Sequence, residues 1–307
     1  MPCDGIEKNV VFCITELFVK PAAISIYSLV SNNPGYTVNL FKVGSFCTEN
    51  LKLLCEKYGC QFREFEIEIE NDLKGSARWP VVVYARLFIP RYIKSGRALY
   101  MDSDTIIDGS LDELFELDMG EYELGAVGTV DTHKYSKVLK KRFELSNYFN
   151  AGVLLMDCDK LSVSKKLDKA LELAKLNNKG ELLYQDQDAL NLAFGNEWLN
   201  LDEKYNHLGL SNKPAVVYHF AFAKPWKVRQ TKMGLLYQEY LRSYPFKLPQ
   251  FYGDVPMNEN SLYPLLAELF WRLPIIKQFD RLLWSRILKL RADRQQCSFV
   301  WKIKTPN

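Results

Sequence analysis

The sequence predicts an α/β fold: a mixed, mostly parallel sheet flanked by helices, followed by a small helical, basic C-terminal extension. Three observations predict it. Short runs of β-branched and aromatic residues alternate with segments of helical periodicity from Asn9 to Phe220, the pattern of strands joined by crossover helices. One run, Ala98 to Ile107, places two acids, one residue apart, at the end of an apolar stretch, as in a strand covered on both faces. Turn formers then collect at Pro245, Pro249, Gly253, Pro256 and Pro264, which divides the chain into a main domain, 1–245, and a terminal segment, 246–307.

The elements follow in order. Asn9–Thr15 reads as a first strand, and Pro21 suits the first turn of a helix running to about Val30. Asn33-Pro34-Gly35 marks a turn, Thr37–Val43 a second strand and Glu49–Tyr58 a second helix. Cys60–Ile69 alternates apolar and charged residues, as a half-exposed strand does. Tyr84–Ile93 has helical character, and the next strand runs to Asp104. Leu124–Val130 and Gly152–Asp157 are further strands, Lys165–Asn177 and Gln187–Phe194 helices, and Ala215–Phe220 a last core strand.

With 307 residues, 48% of them hydrophobic, the chain can bury one large core. The net charge of +3 is unevenly spread. From Trp271 onward nine Lys/Arg face only Asp280 and Asp293, so the basic character belongs to the tail. Its apolar residues recur at helical spacing with Trp271, Trp284 and Trp301 among them, the composition of a helix lying on an anionic membrane surface. A helix packed on the main domain with a solvated basic face has the same pattern. Nothing else in the chain is basic, which argues against nucleic acid. Seven cysteines without Cys-x-x-Cys spacing fit reduced thiols of a cytosolic protein. The expectation is a cytoplasmic protein, peripheral on the membrane.

Several residues carry chemistry. In a strand, residues two apart point the same way, so Asp102 and Asp104 converge on one hard cation, with phosphate oxygens completing its shell. Two solvated acids in a turn are the plainer alternative. His219 ends an apolar strand. Beside two carboxylates its imidazole completes an oxygen/nitrogen set that tilts the ion from Mg²⁺ toward Mn²⁺. Lys224 then supplies positive charge for a diphosphate. Arg86 sits on an otherwise apolar helix and calls for an anionic partner. Asn150-Ala151-Gly152 places an amide and two small residues before a strand, which a tight turn also explains. Gln185-Asp186-Gln187-Asp188 crowds more polar groups at a helix start than capping requires.

Taken together, Tyr84-Ala85-Arg86-Leu87, Asp102-Ser103-Asp104, Asn150-Ala151-Gly152, Gln185-Asp186-Gln187-Asp188 and His219 with Lys224-Pro225-Trp226 resemble glycosyltransferase family 8 over about residues 9–230. The resemblance implies a GT-A, Rossmann-like fold, a UDP-hexose donor, Mn²⁺ (or Mg²⁺), a glycan or glycolipid acceptor and retention of anomeric configuration. It would make Asp102, Asp104 and His219 metal ligands. Cys13, Thr15, Phe18, Ser103, Asn150, Ala151 and Lys224 would contact the donor. Arg86, Asp186 and Gln187 would serve the reaction, with Gln187 beneath the anomeric carbon. Asp131 matches a family sugar-binding acid across a gap. Gln187 has no readily ionised form and is a poor nucleophile, so same-face attack is favoured over double displacement.

Two departures stand out. Thr15 and Leu17 replace polar base-contacting residues of the family, and Phe222 intervenes between His219 and Lys224 where the family has glycine. Two other readings compete: a haloacid-dehalogenase-type phosphatase with Asp102 as nucleophile, which leaves His219, Lys224 and the Gln-rich motif idle, and a non-catalytic nucleotide-sugar binder.

Overall fold

The computed structural model describes residues 7–249 apart from 74, 76–79, 130–136, 138–139, 142, 177–181, 183, 210–212, 223 and 226–230. The basic tail, Asp131 and Trp226 therefore lie outside the described residues.

Seven strands form the central sheet. β1 (Asn9–Ile14), β2 (Thr37–Lys42), β3 (Gln61–Glu66) and β4 (Arg97–Met101) make a parallel half in the order β3-β2-β1-β4. β5 (Thr105–Ile107) leaves this sheet. β6 (Leu124–Gly128), β7 (Phe149–Asp157) and β8 (Leu199–Asn200) complete it as β4-β7-β6-β8, with β7 antiparallel to both neighbours and β8 parallel to β6. β9 (Val217–His219) pairs with β5 in a separate two-stranded antiparallel sheet. The predicted mixed, mostly parallel sheet is what forms.

The reason lies in the side chains. β1 and β2 are buried throughout, while β3 at the sheet edge is exposed except at the half-buried Phe62 and Phe65. Helices α1 (Val19–Asn32) and α2 (Glu49–Lys57) cover one face, packing on Phe12, Leu40, Leu99 and Leu155. The Lys166–Leu176 and Gln185–Phe194 helices cover the other, over Phe41, Tyr100, Phe149 and Leu154. Phe246 and Leu248 pack against the first of these clusters.

Four expectations change. The run from Ala98 to Ile107 is two strands, not one, with Asp102-Ser103-Asp104 in the turn between them. The turn is closed by the Thr105 hydroxyl donating to the Asp102 carbonyl at 2.9 Å. Ala215–Phe220 contributes only the three residues of β9, and to the small sheet rather than the core sheet. Asn150-Ala151-Gly152 lies inside β7 instead of in a turn before it. Between Ala126 and Val127 of β6 the partner residue jumps from Leu154 to Asn150, so β7 bulges over Ala151–Val153 and bends there toward the site. Finally, the Tyr84 segment is a 3-10 helix, Val81–Phe88, becoming α-helical only at Ile89–Tyr92. The β-branched run Val81-Val82-Val83 and Pro90 both disfavour a regular α-helix.

α1 is buried nearly all round, yet it carries a polar stripe. Ser25 pairs with Thr105 at 2.8 Å, the Ser28 hydroxyl accepts from Ile107 N–H at 2.9 Å, and Asn32 Nδ2 donates to Ile107 O at 3.1 Å. These side chains act as a pairing partner for the free edge of β5, whose other edge pairs with β9. A short strand is thereby fixed on both sides, and Asp104 with it. Ser28→Ala leaves the buried Ile107 N–H without its acceptor. It should lower stability by about 1–3 kcal/mol, read as a shift in the urea midpoint with unchanged slope.

Candidate active site

β1 lies between β2 and β4, so the chain leaves its C-terminal end toward one side while β4 begins the other half. Such switch points leave a crevice beyond the strand ends. Thr15, half-buried, follows β1 and opens a 3-10 turn, Glu16–Phe18. Phe18 packs on the cluster beneath α1. Cys13 is buried under the crevice, where burial holds its thiol well above the usual range. Ser103 is half-buried in the acid turn.

The two acids converge although they do not share a strand. Pairing of Thr105 with His219 across the small sheet sets the histidine opposite the turn, and Phe220 N–H donates to Asp104 O at 3.0 Å. His219 Nε2 stands 3.5 Å from Asp102 Oδ2 and 3.5 Å from Asp104 Oδ1. One ligand atom from each of the three residues lies within 4.8 Å of the others. Burial would raise the Asp104 carboxyl, but the Lys224 ammonium, which contacts it directly, and the His219 ring hold it far below the ordinary carboxylate range. Gly152 is the wall of this cluster. A Cβ there would meet His219 Cε1 at 2.1 Å, Nδ1 at 2.6 Å and Asp102 Oδ2 at 2.9 Å, so only glycine leaves space for the ring and the carboxylate.

A chain of amides fixes the orientation of the histidine. Gly152 N–H donates to Asn150 Oδ1 at 3.0 Å and Ala151 N–H to Gln187 Oε1 at 3.0 Å. These backbone donors settle which end of each amide is oxygen. Asn206 Nδ2 therefore donates to Asn150 Oδ1 at 2.9 Å, which turns Asn206 Oδ1 toward His219 Nδ1 at 2.8 Å as acceptor. Nδ1 carries the proton, and Nε2 offers its lone pair to the acids. Asn150 Nδ2 donates to Gln187 Oε1 at 3.1 Å, and Gln187 Nε2 to the Tyr148 hydroxyl at 2.8 Å, which in turn donates to Asp188.

Arg86 is 5% exposed and binds four ways. Nη2 reaches Asp102 Oδ1 at 3.1 Å, Nε reaches Asp186 Oδ2 at 3.1 Å and Val83 O at 2.9 Å, and Nη1 donates to Ala151 O at 2.6 Å. Its guanidinium stacks 4.3 Å above the Tyr100 ring. Burial pushes the Asp186 carboxyl up to about 6, against the pull of Arg86 and with the Asp102 charge adding to the rise.

One cavity is lined by Arg86, Asp102, Asn150, Ala151, Asp186, Gln187, His219 and Lys224, together with Val83, Gly152, Tyr184 and Ala221. Asp104 backs it through Lys224 and His219. Cys13, Thr15, Phe18 and Ser103 are not among its lining residues. Sequence reasoning missed Asn206, Gly152, Tyr148 and Tyr100. Gly152 was visible within its motif, but its role depends on a contact with a residue far along the chain. Asn206 has no sequence signal at all.

Gly152→Ala should force the His219 ring or the Asp102 carboxylate out of place, at an overpacking cost of about 1–3 kcal/mol. A crystal structure of the variant showing both groups unmoved would contradict this.

The model of the family "Glycosyl transferase family 8" matches residues 9–229. Among curated relatives, the chain is 30% identical over 240 residues to the glycosyltransferase GlyF of Streptococcus pneumoniae, covering 72% of this chain and 57% of that one. It is 28% identical over 216 residues to the lipopolysaccharide 1,3-galactosyltransferase of Salmonella typhimurium, covering 66% and 64%. The chain spans well under two thirds of the length of GlyF, and only 38% of GlyB from the same organism. Among solved structures, the fold is similar to the galactosyltransferase LgtC in complex with donor and acceptor sugar analogues, with a TM-score of 0.67 at 21% identity, covering 79% of this chain and 98% of that one. It is also similar to the glycosyltransferase GlyE of Streptococcus pneumoniae, with a TM-score of 0.60 at 22% identity, covering 78% and 62%. The GT-A architecture and the order of the motifs agree with the family match, and the chain belongs to glycosyltransferase family 8.

Proposed function

We propose that the protein is a metal-dependent, retaining hexosyltransferase that moves galactose or glucose from a UDP-sugar to a surface glycan such as lipopolysaccharide or lipooligosaccharide. The observation that carries the reading is the convergence of Asp102, Asp104 and a tautomer-fixed His219 at the rim of a cavity lined by amides. The donor set is hard oxygen plus one imidazole nitrogen, suited to Mn²⁺ or Mg²⁺, and Gly152 keeps its centre clear of side chain. These three residues would hold the ion, which when bound supplies Lewis-acid neutralisation of a departing diphosphate.

The remaining roles belong to the chain itself. Lys224, paired with Asp104, lines the cavity and would bring its positive charge to a phosphate oxygen bound there. Arg86 keeps Asp102 and Asp186 aligned, and Asp186 faces the cavity as an acceptor for sugar hydroxyls. Gln187 Oε1 already accepts two N–H groups. Its lone pairs are engaged, which favours positioning over nucleophilic attack and supports same-face transfer. The acceptor proton would then leave with the departing phosphate.

No helix among the described residues is long and apolar enough to cross a membrane. The proposal places the protein on the cytoplasmic face of the membrane, held by the basic, aromatic segment 246–307.

Three measurements test this reading. A screen of nucleotide sugars should show UDP released from a UDP-hexose with Mn²⁺, lost in EDTA and restored by added metal. Release of phosphate from phosphomonoesters instead would favour the phosphatase reading. Asp104→Asn should abolish turnover with the fold intact, whereas Asn206→Ala, acting behind His219, should weaken Mn²⁺ by about 10–100-fold in a calorimetric titration. The full chain should co-sediment with phosphatidylglycerol vesicles and be released as salt rises; equal binding to neutral vesicles would rule out electrostatic docking.

A further inference from the structure

A second cleft opens on the same edge of the sheet, away from the metal cluster. It has a volume of about 360 Å³ and is lined by Lys42, Gly44, Ser45, Glu66, Ile67, Glu68 and Tyr92. None of these residues belongs to the site described above.

Lys42 is the informative member. It ends β2, paired beside Ile14 of β1, and only 5% of it is exposed. A lysine so deeply set normally finds hydrogen-bond acceptors for its ammonium. Here the nearest carboxylate oxygens, on Glu64 and Glu66, stand 3.6 and 3.9 Å away, beyond hydrogen-bond length. Glu64 is meanwhile drawn to the Thr48 hydroxyl, and the Phe46 ring covers the ammonium at 5.1 Å. Lys42 thus lines a cleft with donors that the described residues leave without short partners.

The surroundings select the ligand. Glu64 and Glu66 stand near the ammonium and Glu68 lines the same cleft, so carboxylates outnumber the one cation and repel phosphate and other anions. Hydroxyl groups suit the cleft better, since each can accept from Lys42 and donate to a glutamate. Tyr92 adds an aromatic surface: its ring packs edge-on against Phe41 and Phe65 at 5.2 and 5.5 Å and remains 39% exposed. A neutral pyranose offers hydroxyls and an apolar C–H face together. At strand spacings of about 4.8 Å, the β2–β3 edge lies roughly 10–14 Å from the end of β4, the reach of a short oligosaccharide.

We infer that the cleft built around Lys42 holds a neutral sugar unit of the acceptor glycan, distal to the unit that receives the hexose. This deepens the acceptor part of the proposed function and rests on it. The full chain is titrated with neutral glucose- and galactose-containing oligosaccharides, from disaccharide to tetrasaccharide, by calorimetry and saturation-transfer NMR. Lys42→Met should weaken the best of these by about tenfold or more, the loss of a charge-assisted hydrogen bond. Glu66→Gln, on a largely exposed side chain, gives a second reading should Lys42→Met fold poorly, with a smaller loss expected. Donor hydrolysis with Mn²⁺ should be unchanged in both variants, so failure of the transferase reading shows there and not in the titration. If no oligosaccharide binds the wild type, or both variants bind as the wild type does, the inference is overturned.

Discussion

The buried guanidinium of Arg86 is the constraint on which the site depends. It draws four elements to one point: its own 3-10 helix through Val83, the end of β4 through Asp102, β7 through Ala151 and the Gln185–Phe194 helix through Asp186. A charge withdrawn from water this far is stable only with its partners in place, and removing one partner of such a pair costs about 3–5 kcal/mol. Two carboxylates and one cation leave the group with an unspent negative charge. Burial shifts the Asp186 carboxyl upward against the pull of Arg86, and the nearby Asp102 charge adds to the rise.

The amide chain from Asn206 through Asn150 to Gln187 does complementary work. Each member is oriented by a backbone N–H or by its neighbour, so no amide has a second arrangement of equal energy. The polarity of the whole chain then runs in one direction, from the histidine toward Asp188. Dipoles fixed before a substrate arrives need no reorganisation during reaction. The bulge in β7 makes this possible by taking Ala151 and Gly152 out of pairing with β6 and turning them into the site.

Much of this was readable from the sequence where pattern and period coincide. The buried runs of β1, β2 and β4 and the largely exposed β3 at the sheet edge follow from which faces meet water. The carboxylates, the histidine and the Gln-rich helix start were visible as residue types out of keeping with their settings. What stayed hidden depends on tertiary contact. Asp102 and Asp104 looked like neighbours on a strand, but the turn that separates them is closed by Thr105 and held by side chains of α1. Asn206 sits in an ordinary polar loop, and only the folded chain brings its amide to His219. The break of the Tyr84 segment into 3-10 geometry reflects Val81-Val82-Val83, a local signal outweighed in the sequence by the apolar helical spacing around it.

The small β5–β9 sheet carries His219 and is entered directly from Asp104, two of the three residues proposed to hold a metal, yet it shares no strand with the central sheet. Two-stranded ribbons are marginal on their own, and a unit of this kind opens more readily than the core around it. Competence and foldedness are therefore separable properties of this molecule. A population could retain every helix and the whole seven-stranded framework while the imidazole swings clear, so that heat or denaturant would silence the enzyme well before its circular dichroism changed.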